Sequence, residues 1–448
     1  MDADFKQKLF DRASAAGFSD CEIYYRRGRT FESHVFKGEV SDYKNSGFEG
    51  LAFRGTYKSK MGYAYTERMS VDVIDEVISN AAANAGIIDD PDAGLCRETG
   101  EYPANAYNEA LNDIDQERKI ETALAMERAA LAYDPRIKSV PYCVVGTAED
   151  EVKIANTYGL ELAHKRNFAL AYVYPQAEAN GKTKLSGELW HGARWEDFSP
   201  EALAAKAAGR SLSYLNAEPV KSGRYKILLS NETAAGLLKV YSGVFFAEAV
   251  QKGFSLLKDK LGEAMASPVL NIRDDAVCGK SLGCIPFDAE GVAAQNKAVV
   301  ENGVLKTYLY NLKSAAKDNA LSTGNGFRNG IHGAITTACT NFYIVPSNKE
   351  NTDMLASLGD GLYITELSGL HSGTNAVSGD FSLSASGFQI SDAKIKRPVE
   401  QITIAGNFFG LLRDTADVGA DLRFGMPSRM GTIGAPSVLI NGLEVSGL

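Results

Sequence analysis

Histidine is scarce in this chain. There are five in 448 residues, His34, His164, His191, His332 and His371, and no two lie within a helical turn or two of each other. That spacing excludes a paired-histidine helical motif, the usual grip on a hydrolytic zinc ion. Cysteine is sparse too: Cys21, Cys96, Cys143, Cys278, Cys284 and Cys339 are scattered without a disulfide-framework spacing, so reduced thiols are expected. Cys278 and Cys284 have no histidine nearby and read as buried free thiols rather than a metal pair. Basic charge is not in excess, with Lys+Arg 47 against Asp+Glu 56 and a net charge of −9. A binder of phosphate backbones concentrates Lys and Arg, so direct nucleic-acid contact is not expected. No apolar run approaches membrane-spanning length, and Met1-Asp2-Ala3-Asp4-Phe5 is acidic without an apolar signal core. A cytoplasmic location with no membrane contact is the expectation.

What is present is the composition of a globular protein, 45% hydrophobic and 23% charged, long enough for two or more domains. The pattern is α+β. A first helix from about Asp4 sets Phe5, Leu9, Phe10 and Ala13 on one face and stops at Gly17. Short strands are predicted at 22–26, 30–36, 47–54 and 58–65, then a helix capped by Ser70 and ending at Gly86. Residues 89–110 read as a surface connection, followed by a helix over 114–133 and strands at 140–147, 151–156, 160–165 and 169–175. Ser199-Pro200-Glu201 opens another helix, with a cap, a proline at the first position and an acid near the dipole. Glu218-Pro219 and Ser222-Gly223 interrupt the pattern, which places a boundary between an N-terminal α+β domain, 1–216, and a C-terminal domain, 224–448. The second domain is expected to be β-rich, a partly closed barrel or sandwich.

Motif lookalikes dissolve on inspection. Gly279-Lys280-Ser281-Leu282-Gly283 fits a nucleophile elbow, yet Ile285-Pro286 follows where a helix is needed. A phosphate loop would need glycine where Asp274 stands. Gly324-Asn325-Gly326-Phe327-Arg328-Asn329-Gly330 spaces its last glycine one residue late for a dinucleotide fingerprint and reads as a turn-rich loop. The run from Ser372 to Ser382 is a Gly/Ser/Asn-rich loop feeding a strand, with no strong nucleophile or metal cluster. It is built to hold a ligand rather than to cut one. Asn375, Ser378, Gly379 and Asp380 within it, with Asn407 and Asn325 outside it, are the candidate substrate-binding residues, fixing backbone or accepting a peptide main chain. His371 reads as a structural hydrogen-bonder rather than a general base. Trp190 and Trp195 suit either a protein interface or a partly buried loop.

The segment from Gly373 to Phe388, the strand from Pro398 to Asn407, and Gly434-Ala435-Pro436 resemble the TldD/PmbA family. Asp288-Ala289-Glu290-Gly291-Val292, Glu301-Asn302-Gly303, Thr323-Gly324-Asn325-Gly326 and Asn341 to Pro346 add to the resemblance. The catalytic branch carries His-Glu-x-x-x-His on a helix plus a late cysteine as zinc ligands. Here the corresponding helix is expected to begin near Asn231, with that side chain as its cap. Leu238, Lys239 and Gly243 stand where the His, Glu and His would be, and no cysteine follows Asp414. The resemblance is therefore to the metal-free PmbA (TldE) branch. It implies no cofactor in this chain, with zinc only in a TldD-like partner of a heterodimer acting on unstructured peptides. A homodimeric peptide-binding regulator and an independent hydrolase are the alternatives. The family has also been described as a modulator of DNA gyrase, a role the acidic charge does not favour through DNA contact.

Overall fold

The computed structural model describes residues 2–87, 94–97, 100–103, 107–279 and 281–448. In the N-terminal half, one antiparallel sheet carries β1 (Phe18–Phe36), β2 (Glu39–Tyr57), β3 (Lys60–Thr66), β4 (Ile137–Asn156), β5 (Glu161–Ala179), β6 (Lys182–Leu185) and β7 (Glu188–Gly192). Its order is β3-β2-β1-β4-β5-β6, with β7 on β5. Four helices accompany it: α1 (Ala3–Ala15), α2 (Ile74–Ile87), α3 (Gln116–Tyr133) and α4 (Pro200–Ser213). The strands are longer than the sequence pattern implied. The stretches 22–26 and 30–36 are one strand, as are 140–147 and 151–156.

Alternation of side chains across the pleat decides what each face meets. Ile23, Tyr25, Leu51 and Phe53 pack with Phe5, Leu9 and Ala13 of α1 and with Ile74, Val77 and Ile78 of α2. Val145, Ala171 and Val173 pack with Met126 of α3 and Ala204 and Ala207 of α4. The opposite face presents Tyr24, Ala52, Val152 and Ile154, which are buried against Phe287, Ala289, Val292 and Ile331 of the C-terminal half. Helices thus cover one side of the sheet, and the rest of the chain covers part of the other. Both tryptophans join this first half: Trp195 is buried and Trp190 stacks on Phe198 at 4.6 Å between ring centres.

The C-terminal half begins with β8 (Gly223–Leu229) and α5 (Asn231–Tyr241). After α6 (Ala247–Gln251), β9 (Ile272–Asp275), β10 (Asn296–Glu301) and β11 (Val304–Leu305) come α7 (Leu312–Lys317), β12 (Gly326–Arg328), β13 (Ile335–Thr337) and β14 (Asn341–Ile344). The chain ends through α8 (Asn351–Leu358), β15 (Gly361–Ser368), β16 (Asp380–Ser391), β17 (Lys394–Asn407), α9 (Phe408–Arg413), β18 (Thr415–Val418), β19 (Arg423–Phe424), β20 (Thr432–Ala435) and β21 (Val438–Ser446). Strands β17-β16-β15-β8-β21 close into a barrel because β17 also pairs with β21, Thr403 opposite Ser446. A second sheet runs β11-β10-β9-β14-β20-β19. The fold is α+β with a barrel in its C-terminal part.

Three local expectations need correction. The cap of α5 is Ser230, whose side chain accepts from Thr233 N, while Asn231 is the first helical residue and donates to Asp421 O at 3.0 Å. Ser70 precedes a short 3-10 turn without capping it through its side chain, and α2 starts at Ile74. The 89–110 connection is not wholly superficial: Leu95 and Cys96 are buried, although residues 89–93, 98–99 and 104–106 of it lie outside the described residues. Ser199 does cap α4, accepting from Ala202 N at 3.2 Å. Gly279–Gly283, whose Lys280 is not described, is a loop in which Ser281 Oγ donates to Asn341 Oδ1 at 2.7 Å.

Candidate functional site between the two halves

The face of the N-terminal sheet that meets the C-terminal half changes from apolar to charged along its strands. Glu22, Tyr24 and Arg26 stand on it from β1, Arg54 from β2, Asp150 from β4, and His164 and Arg166 from β5. Arg26 forks onto Asp150, Nε to Oδ1 at 2.7 Å and Nη2 to Oδ2 at 3.1 Å, and Arg166 Nη2 reaches the same Oδ2 at 3.1 Å. His164 lies edge-on to Phe287 at 5.4 Å, and its Nδ1 has no hydrogen-bond partner. Burial, with Arg166 adding to it, pushes the imidazole down to about 4, so it is neutral at physiological pH.

From the other side comes the turn Asp288–Val292. Asp288 Oδ1 accepts from Glu290 N at 2.9 Å and Val292 N at 3.0 Å, and Oδ2 accepts from Gly326 N at 2.8 Å. The carboxylate therefore ties this turn to the start of β12. A Cβ at Gly326 would lie 2.3 Å from Glu290 Oε2, so a larger residue there would displace the Glu290 side chain. Glu290 accepts from Leu312 N at 2.8 Å and faces Arg54 Nη1 at 3.8 Å, while Arg54 Nε donates to Glu22 Oε1 at 2.7 Å. All three of these ionisable residues are buried. Burial raises Glu290, and the nearby Asp288 raises it further, despite Arg54. A chain of charge thus crosses from β1 through β2 into the C-terminal half.

Arg328, at the end of β12, completes the group. Its guanidinium lies 5.7 Å from the centre of the Tyr24 ring, and Nη1 donates to Gly333 O at 3.3 Å. It stands on the wall of two cavities. One, of about 380 Å³, is lined by Tyr24, Arg26, Asp150, His164, Phe287 and Arg328 among others. The larger, of about 730 Å³, is lined by Arg54, Tyr63, Tyr65, Glu290, Arg328 and His332 among others. Both sizes suit part of an extended peptide or a small ligand.

Family models of the PmbA/TldA metallopeptidases match in three pieces: domain 1 at residues 21–85, the central domain at 109–215 and the C-terminal domain at 222–447. The chain belongs to the PmbA/TldD family. Metalloprotease PmbA of Escherichia coli O157:H7 is 27% identical, covering 96% of this chain and 94% of that one. A Thermotoga maritima protein whose crystal structure is described under the name of a DNA gyrase modulator is 30% identical, covers 99% of both chains and superposes with a TM-score of 0.91. TldE of Thermococcus kodakarensis shares the fold at 23% identity, with a TM-score of 0.91 over 99% of this chain and 100% of that one.

Leu238, Lys239 and Gly243, expected from the resemblance at the family's zinc-motif positions, carry no side chain of the metal-ligating kind. Leu238 is 1% exposed, packed in the core with Leu229, Leu270, Phe408 and Leu412. Lys239 turns outward on α5, and beyond α5 Gly243 sits in a 3-10 turn with no side chain to offer. Among the described residues, no group of three His, Cys, Asp or Glu side chains is arranged to hold a metal ion.

Five of the six candidate binding residues come together, bonded in part to one another and in part to the backbone of the loop and of α9. Asn375 Oδ1 accepts from Val377 N and Ser378 N, at 3.0 and 3.1 Å. Ser378 Oγ donates to Asp380 Oδ2 at 2.8 Å. Asn407 Nδ2 donates to Ser378 O at 2.8 Å and Asp380 Oδ1 at 2.9 Å, while its Oδ1 caps α9 by accepting from Phe409 N and Gly410 N. Gly379, at φ +84°, allows the turn, and these bonds hold the Asp380 carboxyl below its usual range. Asn325 stands elsewhere, 0% exposed, donating to Asp274 Oδ2 at 2.7 Å and Ala338 O at 2.9 Å. Arg54, Glu290 and Arg328 were not among the sequence candidates. A signal existed for Arg54, a cation that directly follows the apolar run from Leu51 to Phe53 within a strand.

Proposed function

We propose that this chain is the non-catalytic, PmbA/TldE-like subunit of a TldD/TldE-type zinc metallopeptidase complex that processes unstructured peptides. The reading is supported by the family fold over 99% of the chain together with Leu238, Lys239 and Gly243, taken as the zinc-motif positions, of which Leu238 is sealed in the core. In this reading zinc belongs to the TldD-like partner. The 1–216 and 224–448 domains shape the space that admits an unfolded chain, in the cytoplasm.

Two features support peptide handling. Along β2, residues 39–49 are exposed and pair only with β1 in the described register, because pairing with β3 begins at Leu51. An open edge of that length offers main-chain donors and acceptors to an added strand, which recognises backbone rather than sequence. The ordered loop of Asn375, Ser378, Gly379, Asp380 and Asn407 serves as a second, rigid rim for the peptide main chain, and Asn325 fixes the segment that leads to Arg328.

The test co-purifies this chain with the zinc-bearing relative of the same organism and measures cleavage of an unstructured peptide with and without it. The pair is expected to cleave and this chain alone is not. Equal cleavage by the relative alone overturns the subunit role.

A further inference from the structure

The larger cavity between the halves holds more cationic hydrogen-bonding capacity than the protein uses. Arg54 is a lining residue of the cavity, 1% exposed, and its Nη2 has no hydrogen-bond partner. Arg328 lines it too, with Nε unpartnered. Buried guanidinium N–H groups left unpaired are costly and rare, and each one asks for an acceptor. Glu22 and Glu290 answer the charge of Arg54, at 2.7 and 3.8 Å. Among the described residues, no carboxylate lies within ion-pair distance of Arg328. Burial and the neighbouring Arg54 both work against its charge, so an added anion would relieve a strained arrangement.

We propose that Arg328, with the free Nη2 of Arg54 beside it, anchors a carboxylate of an extended peptide in this cavity, either a terminal carboxylate or an acidic side chain. The site has the residues for it. A guanidinium matches a carboxylate through parallel N–H donors. Two guanidiniums stand against Glu22 and a Glu290 whose ionisation burial resists, with Lys313, Glu76 and His332 also on the lining, so the positive charge nearest Arg328 is not fully answered. Around the cation the walls are Tyr63, Tyr65 and Ile331, and Tyr65 packs edge-on against His332 at 4.3 Å. Aromatic and aliphatic surface of this kind suits the residues flanking a carboxylate in an unfolded chain. Because β12 and β13 pair as a separate two-stranded ribbon, Arg328 is carried on a hairpin rather than on a large sheet. The proposal rests on the peptide-handling reading above and specifies its substrate class: peptides with a carboxylate placed to reach this pocket.

The experiment measures fluorescence polarisation of a labelled unstructured pentapeptide with neutral side chains, against the full chain alone and paired with its zinc-bearing relative. Three forms are compared: the free acid, the C-terminal amide, and an amide carrying one internal glutamate. The acid and the glutamate amide should bind at least about tenfold more tightly than the neutral amide, the range of a charge-assisted hydrogen bond. Arg328→Gln should bring them to the level of the amide without changing the amide's own affinity, and Arg328→Lys should restore part of the difference. Thermal melts check that each variant folds. Equal binding of acid and amide overturns the anchor and leaves the peptide reading intact. Displacement of the acid by inorganic phosphate at lower concentration than by acetate also overturns it, by showing a phosphate site. Absence of binding by all three forms overturns the anchor if the pair still cleaves peptide, and overturns both readings if it does not.

Discussion

Acidification provides a direct probe of the face between the halves, through His164. The imidazole is 6% exposed, with Phe287 against its edge, and burial holds it at about 4 against an ordinary 6.5. The charged groups near it are Asp150, which favours protonation, and Arg166 and Arg26, which oppose it and already share Asp150. A folded value below the unfolded one means the unfolded chain binds more protons between the two. Stability conferred by the neutral ring is therefore complete above pH 6.5 and is lost as pH falls toward 4. The two values give a loss of about 2 kcal/mol at pH 5 relative to pH 7.5, and about 3 kcal/mol once both states are protonated. The assay is urea unfolding of the parent and of His164→Leu at pH 7.5 and pH 5. Differences in packing between the two chains cancel when their stability gap is compared across pH. The gap should move by about 2 kcal/mol in favour of the variant as pH falls. A gap that stays constant refutes the reasoning, because it would mean that water in the adjacent cavity solvates the imidazolium fully and that burial of the ring carries no proton penalty.

Replacement of Arg54 by Met leaves Glu22 and Glu290 buried without their cation and is expected to cost about 3–5 kcal/mol. Adding Glu22→Gln should recover part of that, measured as a double-mutant cycle in urea. Grafting Leu238→His, Lys239→Glu and Gly243→His together should not create stoichiometric zinc binding by elemental analysis, since position 238 faces an apolar core and no late cysteine exists to join it. The triple variant should also melt lower, because an imidazole replaces a leucine that is 1% exposed. Cys21, Cys96, Cys143 and Cys339 are buried, with burial pushing the thiols of Cys21 and Cys143 up to about 12. They should react with a thiol-specific dye only on unfolding, whereas the half-buried Cys278 and Cys284 should label first in the native chain.

Local signals carried the helices well, and each partial miss has a specific cause. Ser199-Pro200 marks the start of α4 because a cap hydroxyl and a first-turn proline act within four residues. At α5 two capping residues are adjacent, Ser230 and Asn231, and only the extended φ and ψ of Ser230 decide between them. The split strands share a different cause. Gly28 and the charges around it look like a break, yet a Cβ at Gly28 would sit 2.7 Å from Glu149 O and from the Phe48 ring. The glycine is there so that neighbouring strands can approach, not to turn the chain. Likewise Glu149-Asp150-Glu151 interrupts an apolar pattern, but Arg26 and Arg27 meet Asp150 and Glu151 across β1 and β4. A cross-strand ion pair is a property of register, which a single strand does not display. The same reasoning explains why the cavity residues were overlooked while Asp288–Val292 and Thr323–Gly326 were noticed as motifs. Those motifs are backbone devices, an acid accepting three N–H groups and a glycine making room for Glu290, and such devices mark the sequence locally. Arg54, Glu22 and Arg328 acquire their meaning only when strands distant in sequence place them against that turn. A buried charge network of this kind stabilises no better than well-packed apolar residues would, and the proposed anchor gives it a use beyond packing. Binding of a charged ligand is the use that its two unpaired guanidinium nitrogens support.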